Sequence, residues 1–167
     1  MGRRIQRSDG DLYQRCRQQL IDAGIWRCRS VDEICARVGE LIGRQVVLSP
    51  MPLRHRSLHG LLVRTESVDY IVYESETSQF HRDHIALHEL SHQICGHRGQ
   101  IVPGDRVRVL GRISDHDAGT DADEQEAEVM ASLLGMFISG SARTGPVVVE
   151  PDQKLTQVMR SFGLLDS

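Results

Sequence analysis

No stretch of this 167-residue chain approaches the roughly eighteen consecutive apolar positions of a membrane-spanning helix. The N-terminus, Met1-Gly-Arg-Arg, is basic but leads into no apolar segment, so no secretory leader is expected. Cysteine is scarce. Cys16, Cys28, Cys35 and Cys95 include no C-x-x-C pair, which excludes a zinc knuckle and a dithiol redox motif. Reduced, mostly buried thiols in a cytoplasmic protein are the expectation. Lysine is nearly absent, since nineteen of the twenty cations are Arg, a bias we assign to codon usage before phosphate recognition. There is no internal repeat and no low-complexity tract. A net charge of −3 gives no general basic excess, so direct nucleic-acid binding is not expected.

That net charge hides a gradient. Residues 1–64 carry 12 Arg against 6 acids, and residues 65–167 carry 8 basic groups against 17 acids. The basic front leaves a DNA-binding regulator as an alternative function. The plainer account is two halves that complement each other within one fold. With 40% apolar and 26% charged residues, the chain has the composition and length of a single globular domain.

Apolar spacing predicts helices over 11–23 and 31–42, the second with a Ser30/Glu33 capping box and a Gly43 stop. A strand at 46–48 and a turn at 49–52 follow. Residues 58–64 and 69–73 read as a hairpin. A helix is expected from Arg82 to Cys95, stopping at Gly96. Residues 97–120 read as mostly loop with a short strand at 107–110. A strong helix runs over 121–139, then a flexible link at 140–145 and a short helix at 153–162.

His88-Glu-Leu-Ser-His92 carries the chemistry. On a helix, positions i and i+4 lie one above the other, so two imidazoles there can grip one Zn²⁺ while Glu89 serves as general base. Ile85, Ala86, Leu87, Leu90 and Ile94 make this helix more apolar than a solvated one. A catalytic zinc needs a third protein ligand. On the next helix Ala127, Met130, Ala131, Leu134, Phe137 and Ile138 form a buried stripe, which leaves Glu126 or Asp123 as the expected donor. Glu124, Glu128 and Ser132 read as solvated. His97 reads as off the ligand face, and Asp115-His-Asp117 as a solvated acidic loop. Tyr70, Tyr73, His81 and His84 are the nearby candidates for stabilising an oxyanion. The strand at 69–73 is expected to offer an edge for an extended peptide.

His88-Glu-Leu-Ser-His92, with Ile85-Ala-Leu before it and Gly96-His97 after it, resembles the zinc-peptidase domain of the ImmA/IrrE family. Glu126-Ala-Glu-Val-Met-Ala131-Ser-Leu-Leu134 resembles that family's second motif, and the likeness covers about residues 30–137. It implies an α+β, zincin-like fold, with a short, mostly antiparallel sheet against the HExxH helix and a second ligand-bearing helix. The domain would span 30–140, after an N-terminal helical extension (1–29) and before a linker and short helix (141–167) of the same domain. The resemblance implies the gluzincin ligand set His88, His92 and Glu126, with Glu89 as base. Asp123 would then orient a ligand His, and His84 or Tyr73 would support the site or touch substrate. Ser91 stands where the family has Gly, and His84 where it has a bulky apolar residue. The implied function is a zinc endopeptidase that cleaves a partner regulatory protein, a helix-turn-helix repressor or antitoxin. A non-catalytic, zinc-stabilised protein-binding regulator is a further alternative.

Overall fold

The computed structural model describes residues 9–53, 60–97, 100–102, 107–110, 121–139 and 153–165. The acidic loop at 115–117 and the link at 140–145 lie outside the described residues. Helix α1 (Asp9–Asp22) and a single 3-10 turn (Ile25–Arg27) lead to α2 (Val31–Ile42). Strands β1 (Gln45–Met51), β2 (Gly60–Arg64) and β3 (Val68–Glu74) precede α3 (Gln79–Cys95). Then come β4 (Gln100–Val102), β5 (Val107–Leu110), α4 (Asp121–Ile138) and α5 (Gln153–Ser161). The fold is α+β, and no helix among the described residues is long and apolar enough to cross a membrane.

Local chemistry accounts for most boundaries. The Ser30 hydroxyl accepts from Glu33 N–H at 3.2 Å and caps α2. The Glu33 carboxylate reaches back to Arg29 N–H at 2.7 Å, one residue short of a reciprocal box. Helix α3 starts a turn earlier than the apolar spacing suggests because Ser78 caps it, accepting from His81 N–H. β1 runs on through Ser49 and Pro50, where a turn is expected from sequence. It can do so because it is an edge strand, where a residue lacking N–H need not break a ladder on both sides.

The sheet order is β1-β3-β2-β5-β4. β1 pairs parallel with β3, and the other pairings are antiparallel. This corrects one expectation: β3 is interior, bonded on both sides, so 69–73 offers no free edge to a peptide. Side chains alternate across the sheet. Leu48, Leu62, Ile71 and Tyr73 join α1–α4 in the main core, which includes Leu20, Ile34, Leu90 and Leu134. Val47, Leu61, Val63, Tyr70 and Val72 pack on the other face against Leu155, Val158 and Met159 of α5. Tyr70 therefore faces away from α3, which removes it as an oxyanion donor.

Two features set α3 against the sheet. Asp69 of β3 is fully buried and takes bonds from Arg44 (2.8 Å), Arg64 (2.7 Å) and Gln93 (2.9 Å), the last from α3 itself. At Gly60, the start of β2, an added Cβ would lie 2.3 Å from Ile85 Cγ2 and 3.4 Å from Glu89 Cγ. The absent side chain lets the strand run directly under Glu89. Gly60→Ala is expected to destabilise the protein by about 1–3 kcal/mol through overpacking, measured by urea unfolding. An unchanged midpoint would show that α3 can move off the strand freely.

Candidate metal centre

The α3 sequence places His88 and His92 one turn apart on the face that meets α4. Their Nε2 atoms lie 3.2 Å from each other. The two helices run side by side in opposite senses along a seam of histidines against carboxylates. His84 and His88 meet Glu128, His88 and His92 meet Glu124, and His97 meets Asp123 and Glu126.

The carboxylate that converges on the histidine pair is that of Glu124. Its oxygens stand 3.4 Å from His88 Nε2 and 3.6 Å from His92 Nε2. His88, His92 and Glu124 form a group that could hold a metal ion. Glu126, the donor expected from sequence, lies instead with Cys95 and His97 in a second such group. The reason is helical geometry: residues two apart point about 200° from one another around the axis, so Glu124 and Glu126 cannot reach the same point. Glu124, expected to be solvated, is drawn toward the α3 histidines and only partly exposed; Glu128 is exposed, as expected, while its carboxylate lies 3.4 Å from His88 Nδ1.

His97 is the residue that spacing along one helix could not place. Gly96 adopts a left-handed conformation (φ 71°) and ends α3. Gly96 N–H then donates to the Gln93 carbonyl, and His97 N–H to the His92 carbonyl at 3.0 Å. This is the Schellman turn, which folds the second residue past the helix back over its last turn. The His97 ring consequently packs on His92, Nδ1 to Nδ1 at 2.9 Å, with its side chain 8% exposed. A His placed directly after a helix-ending Gly is the signal that could have found it.

Glu89 sits on the sheet side of α3 and is buried. Burial first, and then the charge of Glu124, push its carboxyl up to about 8, against the opposing effect of a backbone hydrogen bond from Leu62. Its Oε2 has no hydrogen-bond partner among the described residues. An orphaned buried carboxylate oxygen is rare and calls for a water or an ion beside it. His92 is held down to about 4, by burial and then by His88 and His97, so its ring is neutral near pH 7, as a metal ligand must be. Ser91, in the place of the expected Gly, is fully buried and donates to the Leu87 carbonyl at 2.6 Å. Cys95 packs beside His97, and burial raises its thiol to about 12.

His84 is half exposed, 3.7 Å from Glu128. Asp123 faces His97 at 3.7 Å. Tyr73 is buried in the main core, and burial raises its hydroxyl pKa, with Arg82 opposing. Comparison with models of known protein families, with curated proteins and with solved structures found no match to this chain.

Proposed function

We propose that the protein is a zinc-dependent endopeptidase with a zincin-like domain of the ImmA/IrrE type, acting on a partner regulatory protein such as a repressor or antitoxin. The observation that carries the reading is the convergence of His88, His92 and Glu124: the two Nε2 atoms lie 3.2 Å apart, one Glu124 oxygen is 3.4 Å from His88 Nε2, and the other is 3.6 Å from His92 Nε2. A tetrahedral ion with ligands at 2.0–2.1 Å needs donors spaced about 3.3 Å apart, and these residues fit it. Zinc held there would supply Lewis-acid polarisation of a scissile carbonyl and a more acidic water. His88, His92 and Glu124 would be the residues that hold it. Glu128 lies 3.4 Å from His88 Nδ1 and orients that ring from behind. Glu89, one residue past the first ligand, takes a proton from the attacking water at its carboxylate and returns it to the leaving amine. The burial that raises its pKa suits a group that must gain and lose a proton near pH 7.

Zinc content after loading and desalting tests the ligand set. The wild type is expected to retain one zinc, His92→Ala and Glu124→Gln none, and Glu126→Gln close to the wild-type amount. Retention by Glu124→Gln with loss in Glu126→Gln would return the third position to Glu126. A wild type that holds no zinc would end the reading.

A further inference from the structure

The metallopeptidase reading uses one ring nitrogen of His92 and none of His97, Glu126 or Asp123. Yet His97 and the two carboxylates form a continuous polar chain leading into His92. The chain starts at Glu126, whose Oε2 lies 3.2 Å from His97 Nε2. Asp123 Oδ1 stands 3.7 Å from the same nitrogen. It continues through the Nδ1-to-Nδ1 contact of 2.9 Å between His97 and His92. It ends at His92 Nε2, which faces His88 and Glu124.

Proton bookkeeping gives this chain a direction. An ionised carboxylate only accepts hydrogen bonds, so Glu126 and Asp123 require the proton of a neutral His97 to sit on Nε2. His97 Nδ1 is then a bare acceptor. The single proton of neutral His92 must lie on its own Nδ1 to satisfy the 2.9 Å contact. That leaves His92 Nε2 with its lone pair exposed, pointed at the position between His88 and Glu124. The opposite arrangement would set a bare nitrogen of neutral His97 against Glu126 at 3.2 Å, a closer contact than the 3.6 Å between His92 Nε2 and Glu124.

We infer that Glu126, acting through His97, is a positioning residue that sets the tautomer and ring orientation of His92 and so makes its Nε2 available to a metal ion. This rests on the metallopeptidase reading for its purpose, but the hydrogen-bond chain is a property of the metal-free protein. It also gives the second group, Cys95-His97-Glu126, a role other than metal binding. If His97 Nε2 took a cation, its proton would move to Nδ1 and face the Nδ1 proton of a metal-bound His92 at 2.9 Å.

The test uses the full chain with ¹⁵N-labelled histidine. In the metal-free wild type, long-range ¹H–¹⁵N spectra are expected to show the proton of His92 on Nδ1. In His97→Ala and Glu126→Leu it is expected to shift toward Nε2, the form that free imidazole side chains prefer. Glu126→Gln keeps an acceptor oxygen and is expected to restore the wild-type tautomer. Zinc affinity, measured by chelator competition, should fall about 10- to 100-fold in His97→Ala and Glu126→Leu and recover in Glu126→Gln. A His92 proton on Nε2 in the wild type, or tautomer and affinity unmoved in His97→Ala, would overturn the inference. So would a second bound ion that shows thiolate charge-transfer absorption with Cd²⁺ and is lost in Cys95→Ser. If the wild type binds no zinc, the metallopeptidase reading fails, while the spectra still decide the hydrogen-bond chain.

Discussion

Replacing Glu89 by Gln is expected to lower peptide hydrolysis by about 10²- to 10⁴-fold, the range for a positioned general base, while zinc content stays at the wild-type level. Gln has the same shape and cannot carry a proton between water and amine, so the loss falls on catalysis and not on the ligands. The assay is exposure of a proteome-derived peptide library to zinc-loaded protein, with new termini read by mass spectrometry. Cleavage by the wild type that persists unchanged in Glu89→Gln would refute the assigned role. An intact interaction with a regulatory partner in Glu89→Gln, with no hydrolysis by the wild type, would favour a non-catalytic zinc-stabilised regulator. Stability gives an independent check. A carboxyl whose folded pKa is raised destabilises the folded state above its ordinary range, because burial opposes the charge. The metal-free Glu89→Gln protein is therefore expected to be more stable than wild type at pH 7. That gain should vanish as pH falls to about 4.5, where the unfolded-state carboxyl also becomes protonated.

The largest loss of stability is expected at Asp69. This carboxylate is fully buried, and Arg44, Arg64 and Gln93 approach it from the β1 entrance, β2 and α3. Arg44 also donates to the Thr65 and Glu66 carbonyls, so one cluster clamps the hairpin turn, the sheet and the helix that carries His88 and His92 together. Asp69→Asn keeps the shape but leaves two guanidiniums facing a neutral amide. Removing one partner of a buried ion pair costs about 3–5 kcal/mol. The two Arg side chains are 22% and 33% exposed and can turn partly toward water, so we expect the lower end, about 3 kcal/mol. Urea unfolding measures it. A loss under about 1 kcal/mol would place this cluster among ordinary surface ion pairs. Because Gln93 adjoins His92, zinc affinity should fall in the same variant.

The order and type of nearly every element could be read along the chain, because caps and apolar period are local signals. Ser30 and Gly43 bracket α2, Gly96 ends α3, and the buried stripe of α4 from Ala127 to Leu134 was recognisable from spacing. The short strand β4 carried too little pattern to detect. The extension of β1 through Pro50 depended on its place at the sheet edge, which no local signal encodes. The interior position of β3 was hidden for the same reason: pairing partners are chosen among strands far apart in sequence.

The candidate site divides along the same line. The sequence by itself determined that His88 and His92 share one helical face with Glu89 beside them, since four residues make about one turn wherever the helix lies. It also marked a buried face on α4 with acidic residues around it. Which acid reaches the histidines was settled only when α3 and α4 packed, because the roll of one helix against another depends on side chains contributed by the whole core. That roll brings Glu124 to the histidine pair, and the turn at Gly96 sends His97 back to meet His92 and Glu126. Spacing along a chain sets which residues share a face; only packing sets what that face meets.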